Sequence, residues 1–198
     1  MIIQLLLHKT LNDIIMKTFN VPTRNQLNET NQGIFDSLEK MVGFVPNLYA
    51  TYAYSDTALG DYLALQNRKS TLSAKEREII NLVVSEVNQC YYCLSAHITI
   101  GKMNGFTDEQ IIEIRSAKVT FDDKYSALAN FVRNAVINRS KPSEEATETL
   151  FEAGYSKANL VDIIMVIGDK MISNFIHGTT NVPIDFPQAQ PLEELVSA

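Results

Sequence analysis

The sequence predicts an all-α protein, and three observations carry that prediction. Only 8 glycines and 6 prolines interrupt 198 residues, apolar residues recur in long helical registers, and capping-box patterns stand directly before two of those registers. The length supports a sizeable core, in one domain or in two packed halves.

The opening MIIQLLLHKTLNDII has no basic stretch ahead of its apolar run and no small-residue cleavage site, so it does not read as a secretory signal. Met16 begins a more ordinary start, MKTFNVPTRNQ; residues 1–16 therefore read as an N-terminal extension and 17–198 as the domain. Residues 17–31 are polar, contain Pro22 and read as an extended lead-in to a helix over about 32–41. Gly43 and Pro46 then break the chain, a short helix runs through Tyr52, and Ser55 caps another reaching about residue 67. Ser73-x-x-Glu76 is a capping box that starts a helix at Ala74, and Ile79, Ile80, Leu82, Val83, Val84 and Val87 make that helix apolar nearly all round, hence buried. Asn88 is expected to cap a second helix carrying Cys90, Cys93 and His97 and ending near Gly101 or Gly105. Thr107-x-x-Gln110 opens a helix to about Ser116, and further helices are expected over about 124–138, 143–153 and 157–177. The tail from Thr179 holds Pro183, Pro187 and Pro191 and sustains no helix before about Leu192.

A faint repeat sets Glu78 against Asp162. Ile79 and Ile80 then fall on Ile163 and Ile164, Val83 on Ile167 and Val87 on Met171, while Cys90, Cys93 and His97 fall on Asn174, His177 and Asn181. The packing pattern repeats and the chemistry does not. Two pseudo-repeated helical halves would explain it, and so would coincidence between two buried helices.

The formal net charge of −6 is modest and the charges are interspersed, which leaves no electrostatic footprint for nucleic acid. No apolar run is long enough for a bilayer, and the cytoplasm is the default compartment. Two cysteines three residues apart cannot staple a secreted scaffold, because so short a loop removes little chain entropy.

The chemistry concentrates in 73–104. On one helix Cys90, Cys93 and His97 would share a face. An ordinary thiol is only about 3% thiolate at pH 7, and lowering its pKa to about 7 ionises about half. Two means are at hand: the positive end of the helix dipole, with Cys90 expected at the second helical position, and His97 as proton acceptor or charge partner. Glu78 taken alone reads first as a first-turn glutamate complementing the dipole. In one unbroken helix it would lie about 18 Å along the axis from Cys90, and Glu86 would be the nearby carboxylate. A bend within the polar SEVNQ would fold Glu78 back towards the cysteines, and that bend is the expectation.

The pattern E-x11-C-x-x-C-x3-H, here Glu78, Cys90, Cys93 and His97, resembles the core of the alkyl hydroperoxidase D-like (AhpD-like) proteins within the carboxymuconolactone decarboxylase superfamily. The run Gly101 to Ile111 looks like the same family, and GFVPNLY with the helices after it is similar to a peroxidase-related branch. The likeness covers about residues 16–187, with the C-x-x-C core over about 73–117. It implies an AhpD-like helical bundle, homo-oligomers that are often trimers or hexamers, and thiol-dependent reduction of hydrogen or organic peroxides. By the same resemblance Cys93 is the peroxidatic cysteine, Cys90 the resolving cysteine and proton donor, and Glu78 and His97 the proton relay. Tyr92 stands where some members have a second histidine, which puts the completeness of the relay and the natural reductant in question.

Bottom-up chemistry runs the same way: a sulfenic acid on Cys93 would condense with the thiol of Cys90, and an external dithiol would have to reopen the disulfide. No flavin or nicotinamide fingerprint is present, so the expected partner is a lipoyl- or thioredoxin-like protein, with no bound cofactor. Three other readings stand beside this one. Cys90, Cys93 and His97, with His177 as a fourth, are zinc-competent; decarboxylation names the superfamily but does not use a redox pair; and a thiol-disulfide oxidoreductase or redox sensor needs the same reactive pair without efficient turnover. Tyr91 and Tyr92 line a pocket or pack, with packing favoured for at least one. The apolar excess of 157–177 is first a core signal and, more sharply, a subunit interface.

Overall fold

The computed structural model of the chain describes residues 19–196, which form ten α-helices and one 3-10 turn, with no strand among them. The proposed extension over 1–16 lies outside the described residues. In chain order the helices are α1 (Glu29–Val42), α2 (Asn47–Tyr52), α3 (Ala58–Gln66), α4 (Ala74–Val87) and α5 (Tyr91–Met103). They continue with α6 (Asp108–Ser116), α7 (Asp123–Ile137), α8 (Glu144–Glu152), α9 (Lys157–Thr180) and α10 (Leu192–Val196). No helix among the described residues is long and apolar enough to cross a membrane.

The chain divides into two compact units. The first comprises the described residues up to Leu65 together with Phe175–Asp185. The lead-in is less extended than its composition suggests. Arg24–Gln26 forms a 3-10 turn, and α1 begins at Glu29 because the Asn28 side chain accepts from the Asn31 amide. Gly43, at φ 92°, ends α1 in the left-handed conformation that a side chain would strain. Inside this unit Tyr52 stacks on Tyr62 with ring centroids 4.3 Å apart, and Tyr49 meets Tyr62 edge-on. Asp185 accepts from the Asn47 amide at the start of α2.

The second unit, Gln66–Asn174 with the segment from Phe186, is built around α4. Ile79, Ile80, Leu82, Val83 and Val84 are all fully buried, as an all-round apolar helix requires. α4 packs against α5, α6 and α7, and α7 packs against α8. Both expected capping boxes are present, at Ser73/Glu76 and at Thr107/Gln110. The tail is tied to this unit: the Ala189 amide donates to Ser95 Oγ, and the buried Arg115 guanidinium donates to the Gln190 carbonyl while pairing with Glu86 at 2.6 Å. Glu86 therefore serves as the counter-ion of Arg115.

Candidate active site

The site is made by the way α4 stops. The capping box at Ser73 fixes the start of α4 and so places Glu78 on its second turn. After Val87 the chain turns back within three residues: Asn88 closes α4, Gln89 takes φ 53°, and the Cys90 amide donates to the Ser85 carbonyl. The expected bend is thus present, but its cap is not the expected one. Asn88 is the C-cap of α4, and its side chain donates to Asn174 Oδ1 at 2.8 Å and to the Met171 sulfur at 3.0 Å. Cys90 itself is the N-cap residue of α5, which moves Cys93 to the third helical position, still inside the first turn where the dipole favours an anion.

All four residues singled out in the sequence are buried: Glu78 and His97 at 7% exposure, Cys90 at 4% and Cys93 at 2%. They meet as two pairs. Both cysteines are free thiols, and Cys90 Sγ donates to Cys93 Sγ across 2.8 Å. His97 Nδ1 lies 2.7 Å from Glu78 Oε2, and Asn81 donates to the other carboxylate oxygen at 3.0 Å. The carboxylate therefore fixes the proton on Nδ1 and leaves Nε2 as the ring nitrogen able to exchange one. Among the described residues His97 makes its hydrogen bond to Glu78, and it acts on Cys93 through charge.

The two sulfurs are chemically unequal. The hydrogen bond from Cys90 lowers the Cys93 thiol most; burial opposes it, and Lys170, His97 and Asn174 add to the lowering, so that Cys93 comes down from 9.0 to about 6. The same hydrogen bond, then burial, pushes Cys90 up, so it remains a thiol. For Glu78 burial pushes the carboxyl up, but the combined pull of His97, Lys170 and Asn81 outweighs it and holds the group below its ordinary range. The arrangement supplies one anionic sulfur, one protonated sulfur in contact with it, and a histidine oriented by a carboxylate.

α9 supplies what sequence reasoning did not find. Ser173 Oγ stands 4.0 Å from Cys93 Sγ, Asn174 helps to lower the Cys93 thiol and donates to Ser85 Oγ at 3.4 Å, and Lys170 is buried on the same face. A signal was available: Lys170, Ser173 and Asn174 are polar interruptions of an apolar helix at i, i+3 and i+4, the spacing of one face. Tyr92 is buried with its ring edge-on to Phe186, and Tyr91 packs against the core. His177 bonds the Val182 carbonyl inside the first unit, and Asp162 binds the Thr71 amide and hydroxyl and Arg68. Among the described residues no group of three or more His, Cys, Asp or Glu side chains is arranged to hold a metal ion.

Comparison with known proteins adds the fold and a family likeness over part of the chain. Residues 52–136, which include the whole pattern from Glu78 to His97, match the carboxymuconolactone decarboxylase family. No curated protein matches the chain. Among solved structures it is similar to an uncharacterised peroxidase-related protein from Silicibacter sp. TM1040, with 24% identity, a TM-score of 0.74, and 86% of this chain and 91% of that one covered. It is similar as well to an alkylhydroperoxidase AhpD core protein from Ralstonia eutropha JMP134, uncharacterised and peroxidase-related, at 22% identity and TM-score 0.74 over 88% of this chain and 93% of that one. The debrominase Bmp8, solved with 2,3,4-tribromopyrrole, shares the fold at 14% identity and TM-score 0.66 over 86% and 94%. The segment that builds the thiol site is thus similar to the carboxymuconolactone decarboxylase family, and the chain shares an AhpD-like all-α fold.

Proposed function

We propose that the protein is a thiol-dependent peroxidase, with Cys93 as the attacking sulfur and Cys90 as the resolving one. The observation that carries this reading is the contact of two chemically unequal thiols, 2.8 Å apart, beside a Glu78–His97 pair. The Cys93 thiolate attacks one oxygen of the peroxide, the O–O bond breaks, and the departing oxygen takes a proton to leave as water or an alcohol. Cys90, the protonated neighbour, is the near source of that proton, and His97, held by Glu78, resupplies it through Nε2. The Cys93 sulfenic acid then condenses with Cys90, releasing water and forming the disulfide, which shields Cys93 from further oxidation. Two electrons from an external dithiol, such as a lipoyl or thioredoxin-like protein, return the pair to thiols while the donor becomes a disulfide.

The test is steady-state consumption of hydrogen peroxide and of a small organic hydroperoxide with dihydrolipoamide or reduced thioredoxin. The expected result is turnover that Cys93→Ser abolishes, and in Cys90→Ser a sulfenic acid on Cys93 that dimedone traps. Burial of both thiols favours a second reading, a redox sensor whose disulfide a protein reductant reaches slowly. Stoichiometric oxidation without turnover would select it. A homo-oligomer is also proposed, on the strength of the outward apolar stripe of Val161, Ile164, Met165 and Ile172 on α9; light scattering in solution checks it. The cytoplasm, where thiols are kept reduced, remains the proposed compartment.

A further inference from the structure

Lys170 is the charged residue of the site that the peroxide chemistry above does not use. It is 3% exposed, and lysine is seldom buried without a paired carboxylate because removing an ammonium from water costs several kcal/mol. No carboxylate among the described residues lies within ion-pair distance of it. The groups that feel its charge are Glu78 on α4 and Cys90 and Cys93 at the start of α5. Its neighbours one turn further along α9, Ser173 and Asn174, are the two residues of that helix that reach the Cys93 sulfur. The face of α9 that carries the ammonium is therefore the face turned to the thiols. His97 is the other titratable group in the cluster, and the buried Asp169 sits next along α9, about 100° round the helix axis.

We propose that Lys170 is a positioning residue whose buried ammonium holds the Cys93 sulfur in its thiolate form, completing a four-member charge cluster with Glu78 and His97. With Glu78 ionised and Lys170 charged, Cys93 and His97 share one further proton. The proton sits either on sulfur, with both groups neutral, or on the imidazole, giving a thiolate and an imidazolium. Both arrangements have the same net charge, so ionising the sulfur adds no net charge to a dry site. The hydrogen bond from Cys90 favours the thiolate, and the ammonium on the face of α9 turned to the sulfur adds to it. The inference rests on the peroxidase reading only for its purpose, since a thiolate serves a sensor equally.

The test is the pH dependence of Cys93 alkylation by iodoacetamide, read from the modified peptide, in the wild type, Lys170→Met and Lys170→Arg. The expected outcome is a midpoint displaced upward by about one pH unit or more in Lys170→Met, so that alkylation at pH 6 slows several-fold, with a near-normal profile in Lys170→Arg. Circular dichroism and the melting temperature report whether the fold persists. An unchanged midpoint in a folded Lys170→Met protein overturns the proposal. Should that variant fail to fold, wild-type protein decides through reciprocity: a charge that stabilises the thiolate is itself stabilised by it. The 15N signal of the Lys170 ammonium is then followed against pH in the reduced and disulfide forms. Different titrations are expected, and one shared curve overturns the proposal. Absence of peroxide turnover with a normal Lys170 effect would remove the peroxidase reading and leave this one standing.

Discussion

α4 and α9 each carry a buried carboxylate in the corresponding place of the faint repeat, Glu78 at 7% exposure and Asp162 at 8%, and the two are put to opposite uses. Asp162 accepts from the Thr71 amide at 2.6 Å, from the Thr71 hydroxyl at 2.7 Å and from Arg68 at 2.7 Å, so it ties down the loop before α4. Glu78 accepts from Asn81 and from an imidazole, a group that can pass a proton on. The difference downstream is the helix itself: α4 stops at Val87 and the chain folds back, whereas α9 runs unbroken to Thr180. Where the helix breaks, the residue nineteen further on returns to the carboxylate; where it continues, its counterpart travels up the axis. Packing differs as well, since Ile80 is fully buried and its counterpart Ile164 is exposed. A bend thus brings to a histidine a carboxylate whose counterpart ties down a loop.

The sharpest way to break this comparison is to neutralise each carboxylate. His97→Gln and Glu78→Gln should slow peroxide-driven loss of free thiols by about 10²-fold or more, the Glu78 variant less because it acts through His97, with little change in melting temperature. Stopped-flow thiol oxidation measures the rates, and unchanged rates in both remove the relay. Asp162→Ala should leave the oxidation rate within about twofold but cost about 2–3 kcal/mol in urea unfolding, because it strands the Thr71 amide and Arg68. The backbone and side-chain hydrogen bonds of Thr71, then Arg68, hold the Asp162 carboxyl below its ordinary range. A depressed acid contributes its full stability above the unfolded value, near pH 4, and loses it as pH falls towards the folded one. Asp162→Asn should therefore flatten that acid-side decline.

A smaller effect belongs to Cys93. With its thiol lowered to about 6, alkylation should be near its plateau at pH 7 and fall about tenfold by pH 5, whereas an ordinary thiol would still be rising through pH 8. The smallest concerns the bend: Gln89 holds φ 53°, so Gln89→Gly should stabilise by at most about 1 kcal/mol and leave the thiol profile in place. A loss of stability there would mean that the Gln89 side chain, rather than the turn, matters.

How much of this was legible depends on how far apart the interacting residues lie in the chain. Ser73 with Glu76 and Thr107 with Gln110 are three residues apart, and both helix starts fall where the pattern places them. The bend after Glu86 is visible as polar residues following an apolar run, yet the role of Asn88 is not. What fixes its side chain is Asn174, 86 residues away, and no local pattern announces that. The same distance hides the contribution of α9. Lys170, Ser173 and Asn174 read locally as interruptions of a core helix, and only the folded chain brings them to Cys93. Glu78 and His97 lie between these extremes: spacing alone allowed them to meet or to miss by about 28 Å, and the turn at Gln89 decided it.

The strap from Phe186 onward has a practical meaning for anyone handling the protein. Its backbone at Ala189 is fastened to Ser95, two residues from Cys93, and Arg115 grips Gln190 and Glu86 at once, joining the strap to the end of the helix that leads into the bend. Deletions or bulky labels around these residues would act as substitutions beside the paired thiols rather than as neutral handles, and thiol reactivity measured on such material would describe a different molecule.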